Sequence, residues 1–93
     1  MARPKSIHHT TVSDEVSIDI GSVTANTTLD VTATVTGLRV GRPVIAWTEG
    51  ALNAGLVIGN YHCSAANTLK FTVQNTTGSA VNPSALNFSV VQF

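Results

Sequence analysis

Thr68–Gln74 reads TLKFTVQ. Leu69, Phe71 and Val73 alternate with Lys70, Thr72 and Gln74, so an extended chain puts all the apolar side chains on one face. The same period of two recurs along the chain. VSIDI sets Val16, Ile18 and Ile20 against Ser17 and Asp19. TLDVTATV sets Leu29, Val31, Ala33 and Val35 against Asp30, Thr32 and Thr34. LNFSVVQF turns Leu86, Phe88 and Val90 one way and Val91 and Phe93 the other. Val, Thr and Ile are the enriched types, as half-buried pleated strands require.

Two further runs are apolar on both faces, PVIAWT (Pro43–Thr48) and LVIGNYHC (Leu56–Cys63). They read as interior strands, or as strands with one face in the core and one in an interface. Pro43 opens its run, where no ladder donor is needed. SVTANT, GLRVGRP, EGALNAG and NTTGSAVNPS separate the strands as turns, with Gly50 and Gly55 limiting EGALNAGL to one helical turn at most. TLDVTA and TLKFTV echo each other as two strands obeying one pattern. Six or seven short strands with turns every 8–12 residues or so predict an all-β fold. The expected form is a single antiparallel β-sandwich, jelly-roll-like, over residues 14–93. Residues 1–13 are expected to be an extended N-terminal arm, with Ile7 the only large apolar residue after Met1 up to Thr11.

The bulk numbers narrow the function. Ninety-three residues make one domain, and a chain of that size buries only about 60–65% of its unfolded surface. Charged residues are 11% of the chain and the formal net charge is +0, so little self-repulsion opposes association. Either Thr, Asn and Ser solubilise the surface or partners cover much of it, and the second reading is preferred. A balanced charge and 5% aromatics give neither a basic footprint nor a stacking platform, which excludes nucleic acid. No apolar run approaches the roughly 18–20 residues that cross a bilayer, so no membrane partner is expected. MARPKSIHH is not followed by an apolar stretch, which argues against a secretory signal. The sequons at Asn26, Asn75 and Asn87 then read as chance in an Asn- and Thr-rich chain.

Reactive chemistry is sparse. Cys63 is the single cysteine, so no internal disulfide forms. His8 and His9 point to opposite sides of an extended chain and lack a third ligand, so no metal is expected. His62 and Cys63 likewise face apart, which makes Cys63 a small core residue. Asp14, Glu15, Asp19, Asp30 and Glu49 are scattered, and no nucleophile, phosphate-loop or metal motif is present. GLRVGRP precedes a strand and opens no helix, so it cradles no phosphate. The chain is expected to be no enzyme and to take no cofactor. Trp47 and Tyr61 could stack on a sugar, but each lies in an apolar run that favours burial in a core or interface. Trp47, Ile58, Tyr61 and Phe93 are the expected subunit interface. Asn75, Thr76, Thr77 and Gly78 are the expected exposed loop.

From Gly37 onward the motifs GLRVGRPV, ALNAGLVI, SAANT and NTTGSAVNP follow one another over about the last 57 residues. This succession resembles small structural proteins of tailed bacteriophages, with Arg42 where that pattern carries an acidic residue. The resemblance implies a β-sandwich that forms homotrimers in the virion. It points to a capsid decoration (cement) protein that binds the major capsid protein on the outer capsid surface, assembled in the host cytoplasm. The alternatives are a head- or tail-fibre domain that binds a host receptor, or a carbohydrate-binding module. The arm lies outside the resemblance. Its Arg3, Pro4, Lys5, Ile7, His8 and His9 are the expected capsid-binding residues, joining positive charge to one apolar anchor.

Overall fold

TLKFTVQ lies at the middle of a sheet. In the computed structural model, which describes residues 12–93, it forms β5 (Thr68–Asn75). The strands before it are β1 (Val12–Ile18), β2 (Thr28–Thr34), β3 (Val44–Thr48) and β4 (Leu56–Ala65), and β6 (Leu86–Gln92) follows. Two antiparallel three-stranded sheets result, in the orders β1-β6-β3 and β2-β5-β4. The pairing is nested, since β1 takes β6 and β2 takes β5. β3 and β4, next to each other in sequence, face one another across the sandwich. This is the jelly-roll-like winding expected from the alternation.

The alternation also selects the core. Leu69, Phe71 and Val73 of β5 and Phe88 and Val90 of β6 are completely buried, because each central strand is covered by neighbours and by the opposite sheet. Phe71 meets Phe88 at 5.3 Å between ring centroids and Tyr61 at 5.4 Å, both tilted, which links the sheets through one aromatic column. The echoing segments TLDVTA and TLKFTV prove to be direct partners, with Val31 opposite Phe71.

Local chemistry turns the chain. Ala66–Asn67 joins β4 to β5 in two residues, and Asn67 takes a φ of 61°, which asparagine tolerates. Its Oδ1 accepts the Gly37 N–H at 2.8 Å, which ties this hairpin to the loop after β2. Gly55 has φ +86° and lies so close under Thr77 that a Cβ would collide with its methyl group.

Two expectations are corrected. β1 begins at Val12, opposite Gln92, so Val12 and Ser13 belong to the sandwich and not to an arm ending at residue 13. The doubly apolar runs are not interior strands: β3 and β4 lie at sheet edges, and the interior strands are β5 and β6. Each has one face in the core, and the other face, which the second reading gave to an interface, carries the exposed Ile45 and Trp47 on β3 and Val57 on β4. The arm residues Arg3, Pro4, Lys5, Ile7, His8 and His9 lie outside the described residues.

Candidate functional site

The outward face of the β1-β6-β3 sheet is set by register. Ser13, Val91 and Ile45 form one row across the three strands, and Glu15, Ser89 and Trp47 the next. Ser17 and Asn87 follow, and the ladder continues as Glu49 N–H donates to Asn87 C=O at 2.9 Å. Trp47 on β3 and Glu15 on β1 thus flank Ser89, and an open depression of about 400 Å³ lies there, extended by Ser13 and Val91.

The polar end of this face is a carboxylate pair. Glu15 and Glu49 are neighbours across Ser89, close enough to share a proton when one carboxyl is protonated, and Ser89 Oγ donates to Glu49 Oε2 at 2.7 Å. The hydrogen bond to Glu49 is the main cause that raises the Glu15 carboxyl above its ordinary 4.5, followed by the like charge of Glu49. His62 is on β4 in the other sheet, so Ser89 has no imidazole among the described residues to activate it. The arrangement offers a surface on which polar and apolar groups lie side by side.

The apolar end is exposed. Among the described residues the large hydrophobic side chains left open to solvent are Val40 (62%), Val57 (54%), Ile45 (50%) and Trp47 (48%). All four sit on β3, on β4 or in the loop leading into β3, at one edge of the sandwich, with Ile45 and Trp47 turned out from the first sheet and Val57 turned out from the second. The opposite edges present Ser13, Glu15 and Ser17 from β1 and Thr28, Asp30, Thr32 and Thr34 from β2. The exposed large apolar side chains are therefore gathered towards the β3–β4 edge, among polar ones, while the β1 and β2 edges present polar side chains.

The four expected interface residues are not brought together. Trp47 and Phe93 lie on the outward side of the first sheet, where Phe93 N–H donates to Pro43 C=O. Ile58 and Tyr61 are partly buried against the core, and burial raises the Tyr61 phenol above its ordinary 10.0. Cys63 is buried, with Sγ donating to Ala65 C=O at 2.9 Å, whereas His62 is exposed. Sequence reasoning missed Ile45, Val57 and Val40 as members of the open edge. The both-face apolarity of PVIAWT and LVIGNYHC was the signal that could have found the first two.

The expected exposed loop needs one correction. Asn75 is fully buried and works as the loop's internal staple. Its Nδ2 donates to Val23 C=O at 3.0 Å and Ser79 C=O at 2.9 Å, while Oδ1 accepts from Thr77 N–H and Oγ1. Thr76 and Gly78 are exposed and Thr77 is half-buried, so the exposed tip is smaller than NTTG suggested.

No family model, no curated protein and no solved structure matches the chain.

Proposed function

We propose that the protein is a capsid decoration protein of a tailed bacteriophage, which binds the outer surface of the assembled shell and stabilises it by bridging major capsid protein subunits. The observation that carries this reading is the open apolar edge of Val40, Ile45, Trp47 and Val57 on a domain with 11% charged residues. Such an edge suits a protein whose working state is an assembly, with neighbours covering it. The phage-like succession of motifs supports the same reading. GLRVGRPV leads into β3, and NTTG forms the loop that packs on Gly55 of ALNAGLVI.

The mechanism needs no catalysis. A ligand that binds only the assembled shell stabilises it by mass action, and many copies engaging together make modest individual affinities sufficient. The test adds purified protein to shells that lack it and follows co-sedimentation and the temperature of shell disruption. Saturable binding of many copies per shell, with disruption moved to higher temperature, is expected. Binding of only a few copies would favour the fibre reading, and no binding at tens of micromolar would overturn the capsid role. A glycan array with the same protein reads out the carbohydrate-binding alternative.

A further inference from the structure

Four strands lie at sheet edges, and three of them carry features that discourage pairing with another chain. β1 places Asp14 on its core-facing side, opposite Val90, and follows it with Glu15. β2 carries Asp30 among exposed threonines. β4 loses register between Gly59 and His62 and again between Cys63 and Ala65, with Asn60 at φ 60°. β3 has none of these. Val44, Ile45, Ala46, Trp47 and Thr48 are uncharged, and their register against β6 is unbroken.

The direction of the β3 backbone groups follows from its two ends. Glu49 N–H and Pro43 C=O both bond to the β6 side, so by alternation those of Ile45 and Trp47 do as well. Val44, Ala46 and Thr48 therefore turn their N–H and C=O groups outward to the open edge. Pro43, which lacks an N–H, falls on the inward-bonding set and leaves that edge complete.

We propose that β3 pairs antiparallel with β3 of a second copy of this chain, about a two-fold axis at Ala46. The strand is its own complement in that register. Ala46 faces Ala46 as a hydrogen-bonded pair, and Val44 faces Thr48 on either side, so every outward N–H and C=O finds a partner. Ile45 then lies opposite Trp47 of the other copy, twice, as a non-hydrogen-bonded pair whose side chains approach most closely. These are the two exposed apolar side chains of the strand. Arg42 and Glu49 flank the two ends of β3, so the two-fold sets the arginine of each copy alongside the glutamate of the other. Two three-stranded sheets become one sheet of six. The inference rests on the reading of the chain as an assembly component, and it puts a two-fold pair where the sequence led to a trimer.

The experiment uses the full chain in sedimentation and cross-linking. Wild-type protein is expected to reach twice the 9.7 kDa chain mass as concentration rises to about 100 μM, in the range of a micromolar Kd. Ile45→Lys with Trp47→Lys is expected to stay monomeric with an unchanged melting temperature, because both side chains are exposed in the monomer. Val57→Lys, equally exposed but on the bulged strand, is expected to dimerise as wild type does. In a Cys63→Ser background, a mixture of Ile45→Cys and Trp47→Cys chains should form the mixed disulfide beyond the statistical two-to-one ratio. A monomeric wild type, loss of dimer in Val57→Lys, or a statistical disulfide distribution would each overturn the β3 pair. Shell binding by the monomeric double variant would leave the capsid reading intact, and a β3 dimer that ignores shells would sink that reading alone.

Discussion

The side-chain amide of Gln92 grips Arg39 by both of its backbone groups: Oε1 accepts the Arg39 N–H at 2.8 Å and Nε2 donates to the Arg39 C=O at 2.8 Å. Nε2 also reaches Arg42 C=O at 3.4 Å. Gln92 is completely buried at the end of β6, and this contact anchors the GLRVGRP loop at the entrance to β3. Gln92→Leu keeps the bulk but leaves Arg39 with an unmet donor and acceptor. A loss of about 2–3 kcal/mol is expected, read as a lower urea midpoint at constant m-value. Gln92→Glu should cost more, because it removes the donor and buries a charge.

The aromatic column makes a second prediction. Phe71 and Phe88 are fully buried on the two central strands and touch across the sandwich. Each change to alanine is expected to cost about 3–5 kcal/mol, a large part of what a domain of this size has. Removing the first ring takes away part of what the second contributes, so the double variant should lose less than the sum by about 0.5–1.5 kcal/mol. Chemical denaturation of the two single variants and the double variant gives the coupling directly. Strict additivity would show that the rings stabilise the fold independently.

Glu15 supplies a pH dependence whose sign is fixed by its raised pKa. The hydrogen bond and the charge of Glu49 make the folded protein hold the Glu15 proton more tightly than the unfolded chain does. The folded state therefore carries the extra proton in the window above 4.5, and stability falls as pH rises through that window. Glu15→Gln removes the titration. Its melting temperature is expected to decline less than that of wild type between pH of about 4 and about 7, because the Glu15 contribution of these carboxylates is gone. Identical profiles would show that the pair does not persist in solution.

The fold was legible because its signal is local. Each half-buried strand repeats a period of two over five to eight residues, and TLKFTVQ alone shows its buried face. The placement of β3 and β4 was not legible for a physical reason. Apolar residues on both faces of PVIAWT say that both faces favour cover, but not whether this chain or another one supplies it. Asn75 was misplaced on similar grounds. Asparagine before Thr-Thr-Gly signals a turn, and only the folded chain brings Val23 C=O and Ser79 C=O to its amide. Glu15 and Glu49 are 34 positions apart in sequence, and both reach Ser89 only through the β6 register.

The last prediction concerns residues 1–11. Val12 opens β1 opposite Gln92, so a chain cut after Thr11 keeps the whole β1–β6 register. Deletion of Met1–Thr11 is therefore expected to leave the sandwich folded, with a melting temperature near that of the full chain. Eleven residues span at most about 36–40 Å, enough to leave the domain and reach a neighbouring molecule. Arg3 and Lys5 bring positive charge and Ile7 an apolar side chain, and in the capsid reading these make the arm an anchor. The truncated protein should then attach to shells far more weakly than the full chain. Ile7→Asp should weaken attachment at all salt concentrations. Arg3→Ala with Lys5→Ala should weaken it more at low salt than at high salt, because screening already removes the charge contribution at high salt. Normal occupancy by the truncated chain would remove the anchoring role. A truncated chain that no longer folds would make residues 1–11 part of the sandwich, with the anchor to be sought on the open β3–β4 edge.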